Sequence, residues 1–346
     1  HEKFMQALKV VNLFKLRGST GYTGSQNFNA YQAVSTYRYY EDVVYDNIVG
    51  AYLLGLPNPE LQWQKTQDNN IGLDLTLFDR LDLTFDYYIK NTRNLLTPVS
   101  TPPSVGFNSY TENLGKSQNK GIEVRLNYRI LKNAHKDLFL SAFATGMHNK
   151  NKIKEISDAL DYINKERDDQ KSESNYDHEK DKQGTTKPSV RYRVGQSMDA
   201  IWAVRSLGID PGSGEEILLT KDGRKTYAWN ADDQVVCGDK LPKLSGTFGF
   251  NFEYRGFGVN TSFFYRLGGQ MYNQTLVDKV ENADIQYNVD KRIYTDRWFE
   301  AGQAAKFKRI TDPNYFTRPT SRFVQDLSEL QMTSLNISYD FRHHKF

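Results

Sequence analysis

From Asn69 to Lys90 the chain alternates apolar and polar residues with a period of two, a pattern that no helix can bury on one face. Ile71, Leu73, Leu75 and Leu77 alternate with Gly72, Asp74 and Thr76. After Phe78-Asp79-Arg80 the pattern restarts, with Leu81, Leu83, Phe85, Tyr87 and Ile89 against Asp82, Thr84, Asp86, Tyr88 and Lys90. Successive side chains of a strand point to opposite faces, so this stretch predicts a β-hairpin with one apolar and one polar face. The same alternation returns over Ile122–Ile130, Leu244–Tyr254, Phe257–Leu267 and Leu335–Phe341. Weaker strands over Val10–Thr23 and Leu138–Asn149 bring the expected number to about eight.

The connections alternate as well. Short turns lie at 78–80, 131–137 and 255–256, and long connections at about 24–63, 93–116, 150–242 and 269–328. Short turns on one rim and long loops on the other are the habit of an antiparallel β-barrel in an outer membrane. The first strand is then expected to run outward and the last inward. Residues 1–346 read as one partial all-β barrel domain with long external loops. No run of 18 apolar residues exists, so no membrane-spanning helix is expected. The mean hydropathy of −0.68 does not count against a barrel, because only alternate residues of each strand face lipid.

Three features favour lipid over a soluble sandwich. The apolar face of the clear strands carries no charge, although 25% of the chain is charged. A cation there would cost about 2–4 kcal/mol at the bilayer midplane. The opposite face is rich in charge, and Asp74, Asp82, Asp86, Lys90, Glu123, Arg125, Arg129, Glu253 and Asp340 are expected to face a lumen. Aromatic residues gather at strand ends, Phe78, Tyr254 and Phe257 at the short-turn rim and Tyr87, Tyr88 and Tyr265 at the other, as two interfacial girdles.

Net charge is +3, from 45 basic and 42 acidic residues that are interspersed, so nucleic acid is not an expected partner. Cys237 has no partner for an internal disulfide. The stretch 150–187 is crowded with charge (Asp158, Asp161, Glu166, Asp168, Asp169, Glu179, Asp181) and reads as a solvated surface. Ile153, Ile156, Leu160 and Ile163 sit at helical spacing within it, which predicts a short external helix.

Catalytic chemistry finds little support. His1-Glu2 lacks the second histidine of a metalloprotease motif, and His343-His344 reads as an exposed pair near the chain end. Asp210-Pro211-Gly212-Ser213-Gly214 has no following Lys-Ser/Thr and reads as a turn. Asp82 and Asp86 share a strand face about 13 Å apart, too far for a coupled acid pair. The expectation is no enzyme, no cofactor and no metal. The candidate contacts for a ligand or lid are loop aromatics: Tyr37, Tyr39, Tyr40, Tyr45 and Tyr52 in the first long loop, and Trp202, Trp229 and Trp298 in later ones. The bland reading is that these rings pack loop against loop.

Several phrases resemble the SusC/RagA family of TonB-dependent outer-membrane transporters. They include Gly21-Tyr22-Thr23-Gly24-Ser25-Gln26-Asn27, and Asn58-Pro59-Glu60-Leu61-Gln62-Trp63-Gln64-Lys65-Thr66 running into Asn70-Ile71-Gly72-Leu73-Asp74. Asn113-Leu114-Gly115-Lys116, Asn119-Lys120-Gly121-Ile122-Glu123, Leu267-Gly268-Gly269-Gln270 and Arg318-Pro319-Thr320 continue the likeness. The resemblance implies a barrel of about 22 strands with a plug in its lumen. This chain shows nothing like the plug or a signal peptide, and so is expected to be part of the C-terminal half of such a barrel. It also implies active import of oligosaccharides or peptides with a SusD-like surface lipoprotein as lid, and TonB engaged through the missing N-terminal part. The alternative is a passive or adhesive barrel whose loops bind partners without active transport.

Overall fold

The computed structural model describes residues 10–26, 31–46, 48–100, 106–107, 109–113, 115–133, 137–157, 160–161, 164–165, 186–283, 288–310 and 316–341, without the side chains of 41–45 and 97–100. Its main sheet has eight strands: β1 Val11–Ser25, β2 Gln64–Leu77, β3 Leu81–Arg93, β4 Gly115–Asn133, β5 Leu138–Ile156, β6 Leu244–Tyr254, β7 Phe257–Tyr272 and β8 Val324–Tyr339. Each pairs antiparallel with the next, so the sheet is an up-and-down meander. It is not closed on itself.

The short turns have the backbone that hairpins demand. Tyr254 faces Phe257 across Arg255 and Gly256, both at positive φ (48° and 84°), which is the twist-matched two-residue turn. Phe78 and Asp79 also lie at φ 54°, and the Asp79 amide donates to Asn12 Oδ1 at 2.8 Å, tying this turn to the start of β1.

One face of the sheet is apolar and bare. Leu16, Ile71, Phe248, Phe250, Leu335 and Ile337 are all exposed on it. The apolar positions Leu81 to Ile89 span about 26 Å along the strand at its usual rise. That matches the roughly 25 Å apolar band of an outer-membrane barrel. The opposite face carries the polar residues, some folded flat onto the wall. Tyr88 lies over Gly121, where an added Cβ would fall inside the ring. Gly121→Val is therefore expected to cost about 1–3 kcal/mol by forcing the ring off the wall. Gly121→Val with Tyr88→Ala should recover most of that loss in a refolding titration, and a strictly additive double variant would count against the fit.

Three expectations need correction. Tyr88 is not in a lipid-facing girdle: adjacent strand residues face opposite ways, and Tyr87 occupies the outer face. Ile153 and Ile156 are not helical. They continue β5, whose strand pairing with β4 runs on to Ile156. Ile163 and the acidic residues around it, Asp161 apart, lie outside the described residues, as do His1, His343 and His344. Finally, the strand expected over Leu138–Asn149 runs on to Ile156 and the one expected over Leu335–Phe341 begins at Val324, because backbone pairing extends past the apolar band where side-chain alternation has no face to select.

The long connections hold structure of their own. Tyr37–Tyr45 pairs with Ile48–Leu53, and Leu96–Ser100 with Ser109–Asn113. A four-stranded sheet forms from Ala200–Ile209, Glu216–Leu219, Lys225–Thr226 and Gln234–Asp239. Against it and the start of β8 pack Val277, Val280, Ile293, Phe307 and Phe323, all buried. The densest apolar packing thus lies at the outer ends of β5–β8 rather than in the main sheet.

Candidate functional site

Two regions carry candidate function: the polar face of the main sheet and the packed outer unit. On the polar face, charges of both signs meet across strands. Arg17 on β1 reaches Asp74 on β2 at 2.9 Å and Asp86 on β3 at 3.1 Å. Gly72 sits between them, and a Cβ there would come within 2.5 Å of Asp86 and 2.8 Å of Arg17. Lys90 pairs with Asp68 at 3.3 Å, Arg129 with Asp82 at 3.5 Å, and Arg266 with Glu329 at 3.5 Å. Asp82 and Asp86 thus serve different arginines.

Further along this face a concavity of about 500 Å³ is lined by Arg17, Asp86, Glu123, Arg125, Thr145 and Thr247 among others. The Thr145 and Thr247 hydroxyls are 2.9 Å apart. Glu253, nearer the short-turn rim, lines a second concavity of about 830 Å³ with Lys132, Phe139, Gly258 and Ser338. The structure therefore brings Asp74, Asp82, Asp86, Lys90, Glu123, Arg125, Arg129 and Glu253 onto the face opposite the apolar band. Hydroxyls, amides and balanced charges suit polar solutes. Among the described residues no group of three metal-ligating side chains occurs.

The outer unit is organised by residues that no local pattern announces. Arg322 forks onto two carboxylates: Glu216 at 3.1 and 3.0 Å, and Glu281 at 2.6 and 3.2 Å. Their side chains are 12%, 8% and 0% exposed, so all three charges are withdrawn from water. Burial acts to lower the Arg322 pKa, but the two carboxylates more than offset it and hold it above the usual arginine value. Burial on its own would raise Glu216, and Arg322 overrides it, leaving that carboxyl below the usual range. Arg297, also buried, donates to the carbonyls of Val280, Glu281 and Lys308 and so closes the chain around the core. Glu216, Glu281 and Arg322 are up to 106 residues apart, which is why sequence reading missed them.

The loop aromatics fall into two groups. Trp202 is buried in the four-stranded sheet with Arg193 stacked on it. Trp229 donates its indole N–H to the Pro319 carbonyl at 3.1 Å and carries Arg318 on its ring. Trp298 donates to the Pro211 carbonyl at 2.8 Å and covers Gly214. All three hold the unit together. The Asp210–Gly214 segment is a turn, closed by Gly214 N–H to the Asp210 carbonyl and by Gly212 N–H and the Ser213 and Tyr227 hydroxyls on the Asp210 carboxylate. The tyrosines differ. Tyr37, Tyr39, Tyr40 and Tyr52 are exposed on the hairpin, with Tyr40 and Tyr52 5.0 Å apart. The side chain of Tyr45 lies outside the described residues. A two-stranded hairpin is marginal in water by itself, so this aromatic surface suits contact with something else.

Comparison with known proteins agrees with this architecture. The family model described as TonB dependent receptor-like, beta-barrel matches residues 9–282. "TonB-dependent receptor P3" of Formosa agariphila is 27% identical over 356 residues, covering 98% of this chain and 33% of that protein. "TonB-dependent receptor SusC" of Bacteroides thetaiotaomicron is 23% identical over 361 residues, covering 99% and 33%. The chain thus spans about a third of the length of the curated relatives it matches. Among solved structures, the RagAB peptide transporter superposes with a TM-score of 0.77 at 20% identity, over 97% of this chain and 35% of that one. At that identity the likeness speaks to fold.

Proposed function

We propose, from the premise that the chain belongs to the TonB-dependent receptor-like β-barrel family, that it forms part of the wall and external mouth of an outer-membrane importer of oligosaccharides or peptides. The observation that carries this reading is the two-faced sheet: a bare apolar band on one side, and on the other a wall of balanced ion pairs, hydroxyls and amides. A pore for neutral or mixed-charge polar cargo needs such a wall, since a single-sign lining would hold charged solutes and repel others. The wall positions Glu123, Arg125 and Glu253 face the lumen. The rest of the barrel, the plug and the TonB-contacting segment belong to the remainder of the protein.

A SusD-like surface lipoprotein covers the external mouth in this reading, as the family resemblance implies. The exposed tyrosines Tyr37, Tyr39, Tyr40 and Tyr52 are the contacts we assign to it or to cargo, because large rigid rings dominate interfaces at low entropic cost. Their hairpin rises from the long-loop rim, where a lid would sit.

The test is deletion of the encoding gene, with uptake measured for a panel of glycans and peptides. Loss of uptake of one class, restored by complementation and abolished when the proton-motive force is collapsed, is the expected result. Unchanged uptake of every glycan and peptide would sink the importer. Uptake that survives collapse of the proton-motive force would favour the passive barrel.

A further inference from the structure

We propose that the outward face of β2–β5, just above the apolar band, seats a phosphate-bearing lipid of the surrounding leaflet. The register places the residues. Ile89 on β3 lies opposite Lys120 on β4, and Lys120 opposite Lys150 on β5. One step further out, Gln118 lies opposite Lys152, and beyond it Lys116 and Lys65 both face Arg93. His148 sits one step inward, opposite Ile122. These positions share the face of Ile122, Val124 and Leu126, the lipid side, and lie where that face turns from apolar to polar. Lys65, Arg93, Lys120, His148, Lys150 and Lys152 are all exposed.

The signs of these charges do not balance. The chain as a whole mixes 45 basic with 42 acidic residues, and the lumen side of the same strands matches Lys90 with Asp68 and Arg17 with Asp74 and Asp86. On the outward side Glu155 pairs with Lys116. Among the described residues no carboxylate lies within ion-pair distance of Lys120, Lys150, Lys152 or Arg93. Like charges directly opposite on neighbouring strands repel, and Lys120 against Lys150 is such a pair. An anion between them reverses the sign of that interaction. Lysine stems are long enough to bend toward a headgroup level below their backbone.

The wall beneath has room for a chain. Going down β5 from His148, the outward residues are Gly146, Ala144 and Ala142. Val124, Leu126 and Tyr128 border them on β4, with Phe248 and Phe250 on β6. The Tyr265 hydroxyl, bonded to the Thr145 carbonyl at 2.8 Å, overhangs Gly146, and below it Ala144 and Ala142 lie between taller residues and make a shallow trough on the lipid face. A headgroup phosphate on Lys120 and Lys150 with an acyl chain in the trough uses both features. Free phosphate would use only the first.

The test uses the full protein that carries this chain, extracted from membranes in mild detergent and placed in bilayers containing a phosphorylated lipid. Native mass spectrometry reads the adducts. An adduct with the mass of a phosphorylated acyl lipid is expected, and Lys120→Gln with Lys150→Gln should weaken it about thirtyfold, at ~1 kcal/mol per cation removed. Lys90→Gln, on the lumen face, should leave it unchanged. Resistance of each variant to SDS before heating reports folding. An adduct unaltered in the double variant, an adduct of inorganic phosphate lacking acyl mass, or no adduct on a folded, membrane-embedded protein would each overturn the lipid seat. Recovery of the protein without detergent would instead overturn the membrane reading on which the proposal rests.

Discussion

Replacing Arg322 by alanine is expected to open the outer unit while leaving the main sheet paired. The substitution strands the Glu216 and Glu281 carboxylates in a site where they are 8% and 0% exposed. Removing one side of such a buried pair costs about 3–5 kcal/mol. Hydrogen exchange is the measurement. Protection should fall over Glu216–Leu219 and Val277–Glu281, while Leu81–Arg93 keeps its own. A uniform loss across both regions, or none, would contradict the assignment. Arg322→Met with Glu216→Gln and Glu281→Gln should restore much of the protection, because the desolvation cost of three charges leaves with them. Acid should act in the same direction. Glu216 is held below the usual glutamate range, so its contribution is fully present above that range and is lost as pH falls through its lowered value. The unit should therefore loosen below about pH 4 and show no matching change in mild alkali, since Arg322 titrates higher still.

The second large effect separates a membrane wall from a water-facing one. Phe248 is 39% exposed and lies near the middle of β6, stacked on Phe263 at 5.2 Å. In water, a substitution at such an exposed position changes stability by about 0.5 kcal/mol or less, with a little more for the lost ring contact. In a bilayer, Phe248→Lys places a charge near the midplane and should cost about 2–4 kcal/mol. Asn251→Lys, three residues on and on the opposite face, should cost less, about 1 kcal/mol for the hydrogen bonding to Ser141 and Asn260 that it gives up. Refolding titrations of the full protein into lipid vesicles compare the two. Equal, small effects would mean that the bare apolar face meets something other than lipid.

The wall and the outer unit were not equally readable in the chain. Alternation over Leu81–Ile89 marks a strand, its faces and its lipid side at once, because strand geometry converts sequence parity directly into side-chain direction. Tyr88 was misplaced for the converse reason: an aromatic residue draws attention by its type, whereas its parity puts it on the polar face over Gly121. Ile153 and Ile156 show the limit of periodicity in a short window, where spacings of three match a helix as well as a strand that bulges. The tryptophans were visible as aromatic, and packing of loop against loop was one reading of them, but what each one packs on was not legible. Their partners, Pro319 for Trp229 and Pro211 for Trp298, lie 90 and 87 residues away.

By itself, then, the sequence determined the antiparallel meander, the position of its turns, the two faces of its strands and the rim on which the long connections lie. All of these follow from local rules that act between residues close in the chain or directly paired. Only the tertiary structure decided that two long connections fold into one packed unit, and that Arg322 joins Glu216 and Glu281 inside it. It also brought lysines from neighbouring strands together on the lipid side. Those arrangements depend on which distant segments meet, and burial and charge act on distance in space, which a linear pattern of residue types does not record.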